Sequence, residues 1–205
     1  MPKIVDPEAR RRAVAQAVLT VVARHGLEHA SLRNVAEEAG LAIGSIRHYF
    51  ADHDELMTFT MRELSRRIGE RIRTHAERLL APDADIDRRA ATEELLAEFL
   101  PLDDTRREEA VLWITFTAAT HTRAELRPHA AEMQQDMHAL IVRVLSEAQR
   151  MGGLPAGLDA DLEAHRLAAL LDGLTLQAAL LPDRMPPEQQ RQVLRRHLDA
   201  LTSGR

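Results

Sequence analysis

An all-α protein is what this sequence predicts, and three observations carry the expectation. Alanine, leucine, arginine and glutamate dominate the composition, and these are strong helix formers. Apolar residues recur at three- and four-residue intervals, and no stretch sustains the alternation of a half-buried strand. Glycine and proline fall between helix-length segments, where they stop one element and start the next.

The elements follow in order. Pro7 suits the first turn of a helix running to about Arg24, with Val14, Val18, Leu19 and Val22 on one side and His25-Gly26 at its end. Ser31 is a good N-cap for a second helix, in which Leu32, Val35, Ala36 and Ala39 share a face and Gly40 forms the stop. A third helix starts at about Ala42. Asp52 can cap a long helix to about Leu80 that carries Leu56, Phe59, Leu64, Ile68, Ile72 and Leu79 at helical spacing. Ala81-Pro82-Asp83 and Pro101-Leu102-Asp103-Asp104 break the next region into a short helix from about Thr92 to Leu100 and another from about Thr105 to Thr122. A helix with Pro128 near its start runs to Met151 and ends at Gly152-Gly153-Leu154-Pro155. Two more span about Ala160 to Leu181 and Pro187 to Leu201. No internal repeat or low-complexity linker interrupts them.

With 205 residues, two unequal domains fit best, an N-terminal one over residues 1–50 and a larger one over 51–205. The net charge of −5 is unevenly spread. Residues 1–50 carry Lys3, Arg10, Arg11, Arg12, Arg24, Arg33 and Arg47 against Asp6, Glu8, Glu28, Glu37 and Glu38, so the acidic excess lies in the remainder. That pattern is expected when only one end of a protein meets phosphate. There is no cysteine, which excludes disulfides, thiolate metal sites and a cysteine nucleophile and fits a reducing cytosol. The N-terminal segment lacks the apolar region of a signal peptide, and no apolar run approaches the roughly 18 residues of a membrane span, so a cytoplasmic protein with no membrane partner is expected.

Residues 31–50, SLRNVAEEAGLAIGSIRHYF, form a short capped helix, a turn built on Gly40 and a second short helix. This is the pattern of a helix-turn-helix, whose second helix lies in the DNA major groove. If Leu32, Val35, Ala36, Ile46 and Phe50 pack inward, then Arg33, Ala42, Ile43, Ser45, Arg47, His48 and Tyr49 are left to face outward. Arginine can bind guanine edges bidentately, Ala42 and Ile43 can touch thymine methyls, and Ser45, Tyr49 and backbone amides can bind phosphate. Each residue also admits a plainer role: Arg33 and Arg47 as solvated charges, Tyr49 at the edge of the core, His48 as a cap.

These residues resemble the DNA-binding domain of TetR-type repressors. The likeness rests on Arg10 to Val22, Gly26, Ser31, Val35-Ala36, Ala39-Gly40-Leu41, Gly44-Ser45-Ile46, Tyr49-Phe50 and Leu56, about a quarter of the chain. The Arg47-His48-Tyr49-Phe50 ending and the C-terminal half are also similar to the branch of choline-responsive betaine-pathway repressors. The resemblance implies a homodimer that binds a palindromic double-stranded operator and releases it when a small-molecule effector enters the C-terminal domain. It implies DNA-binding roles for Ser31 and Arg33, and phosphate contacts for Ser45, Tyr49 and His53. His53 stands where the family usually has lysine, and Ala42-Ile43 replaces a commoner small-polar and basic pair.

Downstream, Trp113, Phe116, Thr117, Thr120 and His121 recur on one helical face, with Met133 and Met137 on the next helix and Gln177 beyond. The stripe suits plain core; the mixture of threonines, histidine, methionines and glutamine suits a mostly apolar effector site with a few orienting polar groups. One Trp, one Tyr and four Phe leave little for an aromatic cage around a quaternary ammonium. The stripes Leu167, Leu170, Leu171, Leu174, Ala178, Leu181 and Val193, Leu194, Leu198, Leu201 are wide enough for a homodimer through the last two helices, or for burial inside one subunit. No catalytic residue, cofactor or metal is expected. His25 and His29 are four apart across Gly26, and there is no HExxH, Gly-rich phosphate loop, GxSxG or SxxK. The alternative is an adaptor that binds DNA or a partner without a ligand.

Overall fold

The computed structural model describes residues 6–81 and 85–203; Lys3 and the expected break at Pro82-Asp83 lie outside them. Within that range the chain forms nine α-helices and two short 3-10 turns, with no strand among the described residues. The helices are α1 (Pro7–His25), α2 (Leu32–Glu38), α3 (Ile43–Tyr49), α4 (His53–Leu80), α5 (Arg88–Ala97), α6 (Asp104–Ala119), α7 (Arg127–Arg150), α8 (Ala160–Leu180) and α9 (Pro187–Ser203).

Local chemistry sets the ends. Asp6 caps α1 by accepting from the Glu8 amide at 3.0 Å, and Gly26 closes it with a φ of 89°. The short helix expected from about Thr92 begins earlier, at Arg88, because Asp87 caps it by accepting from the Ala90 amide at 3.0 Å. The helix expected to reach Thr122 ends at Ala119. Its last carbonyls are taken instead by tight turns and by Arg127, which donates to the Thr120 and His121 carbonyls at 2.8 and 3.3 Å.

Two compact units result, one of Met1–Arg67 with Val111–Ala131, the other of Ile68–Ala110 with Glu132–Arg205. In the first, α1 packs on α2 and α3, burying Val14, Val18, Val22, Val35, Ala36 and Ile46. In the second, α5, α7, α8 and α9 enclose Leu96, Leu100, Ile141, Leu145, Leu167, Leu171, Leu194 and Leu198. Most of the leucine stripe assigned to a dimer face is therefore interior. Leu174 is 3% and Leu198 4% exposed, both inside their own subunit. A leucine stripe marks a buried face without saying which partner buries it, and here α8 and α9 bury most of theirs on each other and on α5 and α7. The large apolar side chains left outside on α8 are Leu162, Leu176 and Leu180, with Leu181 just beyond.

Candidate functional site

The turn between α2 and α3 is built from the backbone. The Ser31 hydroxyl accepts from the Asn34 amide at 3.2 Å and starts α2. At its other end the Gly40 amide donates to the Glu37 carbonyl at 3.1 Å and the Leu41 amide to the Ala36 carbonyl at 2.9 Å. This nested pair is a Schellman motif, which needs a left-handed residue at its corner. Gly40, with φ of 63°, supplies it. The chain then turns into α3, in which Ile46 and Phe50 point inward, both at most 1% exposed.

That orientation fixes the outward set. Ser31, Arg33, Ala42, Ile43, Arg47 and His48 are exposed, whereas Ser45 and Tyr49 are half-buried. The His48 and Tyr49 rings meet edge to face, with centroids 5.2 Å apart. Arg11 pairs with Glu55 at 2.9 Å, Arg24 with Glu38 at 3.5 Å and, more loosely, Arg12 with Asp6 at 3.9 Å. Among the described residues Arg33 and Arg47 have no acidic partner. The positive field of this module comes from fewer side chains than the bare sequence suggests.

Behind the motif stands a brace that the sequence did not disclose. The Arg11 guanidinium lies over the Phe50 ring at 4.7 Å and the Phe59 ring at 4.6 Å, and its Nη2 donates to Glu55. The other Glu55 oxygen accepts from the Ala51 amide at 2.7 Å. One arginine thus joins α1, the end of α3 and the start of α4. A second link joins α1 to α4: Arg67 donates to Gln16 and to the buried Glu63. Hydrogen bonds from Arg66, then from Arg67, hold the Glu63 carboxyl below the usual glutamate range against the opposing effect of burial.

His53 also turns inward. Its Nε2 lies 2.8 Å from the Ala30 carbonyl and its Nδ1 3.4 Å from Arg123 Nη1. A carbonyl only accepts and a guanidinium only donates, so the proton sits on Nε2 and Nδ1 is the acceptor. His53 therefore anchors the residue just before the Ser31 cap to the start of α4 and to Arg123. Nothing in the local sequence around Arg123 signalled this.

The eight effector candidates fall in both units. In the first, Phe116 is fully buried and Trp113, Thr117 and Thr120 are half-buried, while His121 is exposed in the turn after α6. The Thr120 hydroxyl donates to the Thr117 carbonyl at 2.7 Å, and the Thr117 hydroxyl oxygen is buried without a hydrogen-bond partner. In the second, Met133 and Met137 are half-buried on α7, Met137 against the leucine core, and Gln177 is exposed on α8.

Set beside known proteins, the two regions match two families. Residues 16–59 match the family described as bacterial regulatory proteins, tetR family, and residues 88–203 the one described as BetI-type transcriptional repressor, C-terminal. The chain is 35% identical over 202 residues to the HTH-type transcriptional regulator PksA of Bacillus subtilis (strain 168), covering 98% of this chain and 94% of that protein. It is 33% identical over 184 residues to the regulator BetI of Yersinia pestis (strain Pestoides F), covering 88% and 86%. A crystal structure of a transcriptional regulator from Rhodococcus sp. Rha1 superposes with a TM-score of 0.78 at 29% identity, covering 95% and 96%.

Proposed function

The chain belongs to the TetR family of bacterial transcriptional regulators and carries a BetI-type C-terminal domain, and on that premise we propose how this molecule reads and releases its DNA. It is a cytoplasmic repressor that binds a palindromic operator as a homodimer, with residues 1–50 as the DNA-binding domain and residues 51–205 as the effector-binding and dimerisation domain. The observation that carries this reading is the outward face of α2 and α3. Two arginines without acidic partners, Arg33 and Arg47, flank the small apolar pair Ala42 and Ile43 on a motif braced from behind by Arg11. Arg33 and Arg47 read base edges, Ala42 and Ile43 meet thymine methyls, and Ser31, Ser45, His48 and Tyr49 line the backbone contacts. His53 enters as a positioning residue, since both its ring nitrogens already serve Ala30 and Arg123.

The homodimer forms through the last two helices, and the exposed Leu162, Leu176 and Leu180 of α8 support that assignment. A small molecule then releases the operator. The unpartnered Thr117 hydroxyl beside Thr120 supports a ligand with a polar group on an otherwise apolar body; Trp113, Phe116 and His121 are the further contact candidates in the first unit, and Met133, Met137 and Gln177 are separate candidates in the second.

Selection from a pool of random duplexes tests the reading. The protein is expected to enrich a palindrome, and a metabolite panel is expected to contain a compound that dissociates the complex. Enrichment of no sequence overturns the DNA-binding role. A palindrome that no compound releases leaves a regulator without a small-molecule switch.

A further inference from the structure

Helices α7 and α8 bring three side chains to one place on the surface of the second unit. His138 projects from α7, and Asp161 and His165 lie one turn apart on α8, a spacing that puts them on one helical face. The His138 Nε2 is 3.0 Å from the His165 Nδ1 and 3.5 Å from an Asp161 carboxylate oxygen, and the His165 Nδ1 is 3.8 Å from the other oxygen. The two imidazole rings lie with centroids 4.1 Å apart and are tilted by 57°. Their nitrogens thus face each other and the carboxylate.

The supports of this cluster are tied by hydrogen bonds at the ends of both helices. Asp159 caps α8 by accepting from the Asp161 and Leu162 amides at 3.2 and 3.1 Å, which fixes Asp161 in the first turn. Gln149, near the end of α7, donates to the Pro155 and Leu158 carbonyls at 3.1 and 2.8 Å and ties down the connection between the helices. On the same helices, Ile141 of α7 and Ala164 and Leu167 of α8 are fully buried in the core cluster. A site built on packed helices holds its donors in place before a ligand arrives.

We infer that His138, Asp161 and His165 form a binding site for a divalent transition-metal ion of the zinc, cobalt and nickel class. Two imidazoles and one carboxylate are the donors these borderline ions take, whereas magnesium and calcium require oxygens. A tetrahedral zinc ion with bonds of about 2.0–2.1 Å separates its ligand atoms by roughly 3.3 Å. The observed separations of 3.0, 3.5 and 3.8 Å straddle that value.

The proton inventory fits the ion as well. The His165 Nδ1 lies 2.9 Å from the Asp161 carbonyl, which only accepts, so in the metal-free protein that nitrogen carries the proton and the His138 Nε2 presents a lone pair. On binding, the His165 proton moves from Nδ1 to Nε2, which gives up the bond to the Asp161 carbonyl and frees a second lone pair. The carboxylate supplies the third bond and water the fourth. The ion would clip α7 to the first turn of α8, at residues that the DNA-release reading does not use.

The full chain, stripped with a chelator and dialysed against zinc, tests this by metal content. Wild type should retain a single zinc ion per chain that the double variant His138→Gln/His165→Gln lacks. Asp161→Asn should weaken binding by about tenfold or more, and His25→Gln should bind as wild type does. Cobalt should show the intense visible bands of a tetrahedral site in wild type alone. Because His165 is exposed, the single variant His165→Gln repeats the test if the double variant melts early. Equal zinc content in wild type and double variant, cobalt bands that persist without these histidines, or loss of the ion in His25→Gln overturns the proposal.

Discussion

At Gly40 an added methyl group would meet no atom within 4 Å, so only the backbone objects to a side chain there. With φ at 63°, Gly40→Ala is expected to destabilise the protein by about 1 kcal/mol, seen as a lower melting temperature with the fold retained. The two arginines proposed as readers make a different prediction. Arg33→Ala and Arg47→Ala should leave melting unchanged and weaken specific operator binding by about 1–3 kcal/mol each, measured by titration of a labelled duplex. Wild-type affinity in both variants would remove them from the interface. At this scale the sequence was most legible where the backbone writes its needs locally, as with the Ser31 cap and the Gly40 corner. It was least legible where a side chain finds distant partners. Arg11 sits in a run of three arginines that reads as surface charge, yet its place between Phe50 and Phe59 depends on residues roughly 40 to 50 positions away.

Between elements, charge holds what the leucines do not. Arg195 of α9 donates to Glu93 of α5 at 3.1 and 2.8 Å, Arg191 reaches Glu94 at 3.0 Å, and Arg89 reaches Asp199 at 2.6 Å. The Arg195 hydrogen bonds hold the Glu93 carboxyl below the usual glutamate range despite its burial. A depressed folded-state value means the unfolded chain binds the proton first. The contribution of Glu93 is therefore fully present above about pH 4.3 and is lost as pH falls further toward the folded value. Glu93→Gln should melt below wild type near neutrality, and the gap should close in melts below about pH 4. Helix identity was readable because caps, breakers and the 3.6-residue period are local signals. Asp87 and Arg127 moved two ends by side-chain hydrogen bonds that no periodicity encodes. The stripes on α8 and α9 were legible as buried faces but not as core, because the same period serves both.

For the molecule as a whole, the exposed leucines of α8 separate association from folding. Leu176→Glu with Leu180→Glu should leave a folded chain that sediments as a monomer, since Leu176 is 44% and Leu180 69% exposed. Leu174→Ala, inside the subunit, should instead cost about 2–5 kcal/mol of stability. A double glutamate variant that still sediments as a dimer would move the interface off this face. The effector candidates were the hardest part to read, because half-buried threonines and methionines look alike whether they line a site or fill a core. The scarcity of aromatic residues nevertheless has a practical side. The chain holds one tryptophan and one tyrosine: Trp113 sits half-buried among the effector candidates of α6, and Tyr49 on the outward helix of the motif. The protein therefore carries two unlabelled fluorophores. Exciting the red edge of the absorption band reports Trp113 alone, so under the proposed function effector arrival should register as a shift in its emission and duplex binding as quenching of Tyr49.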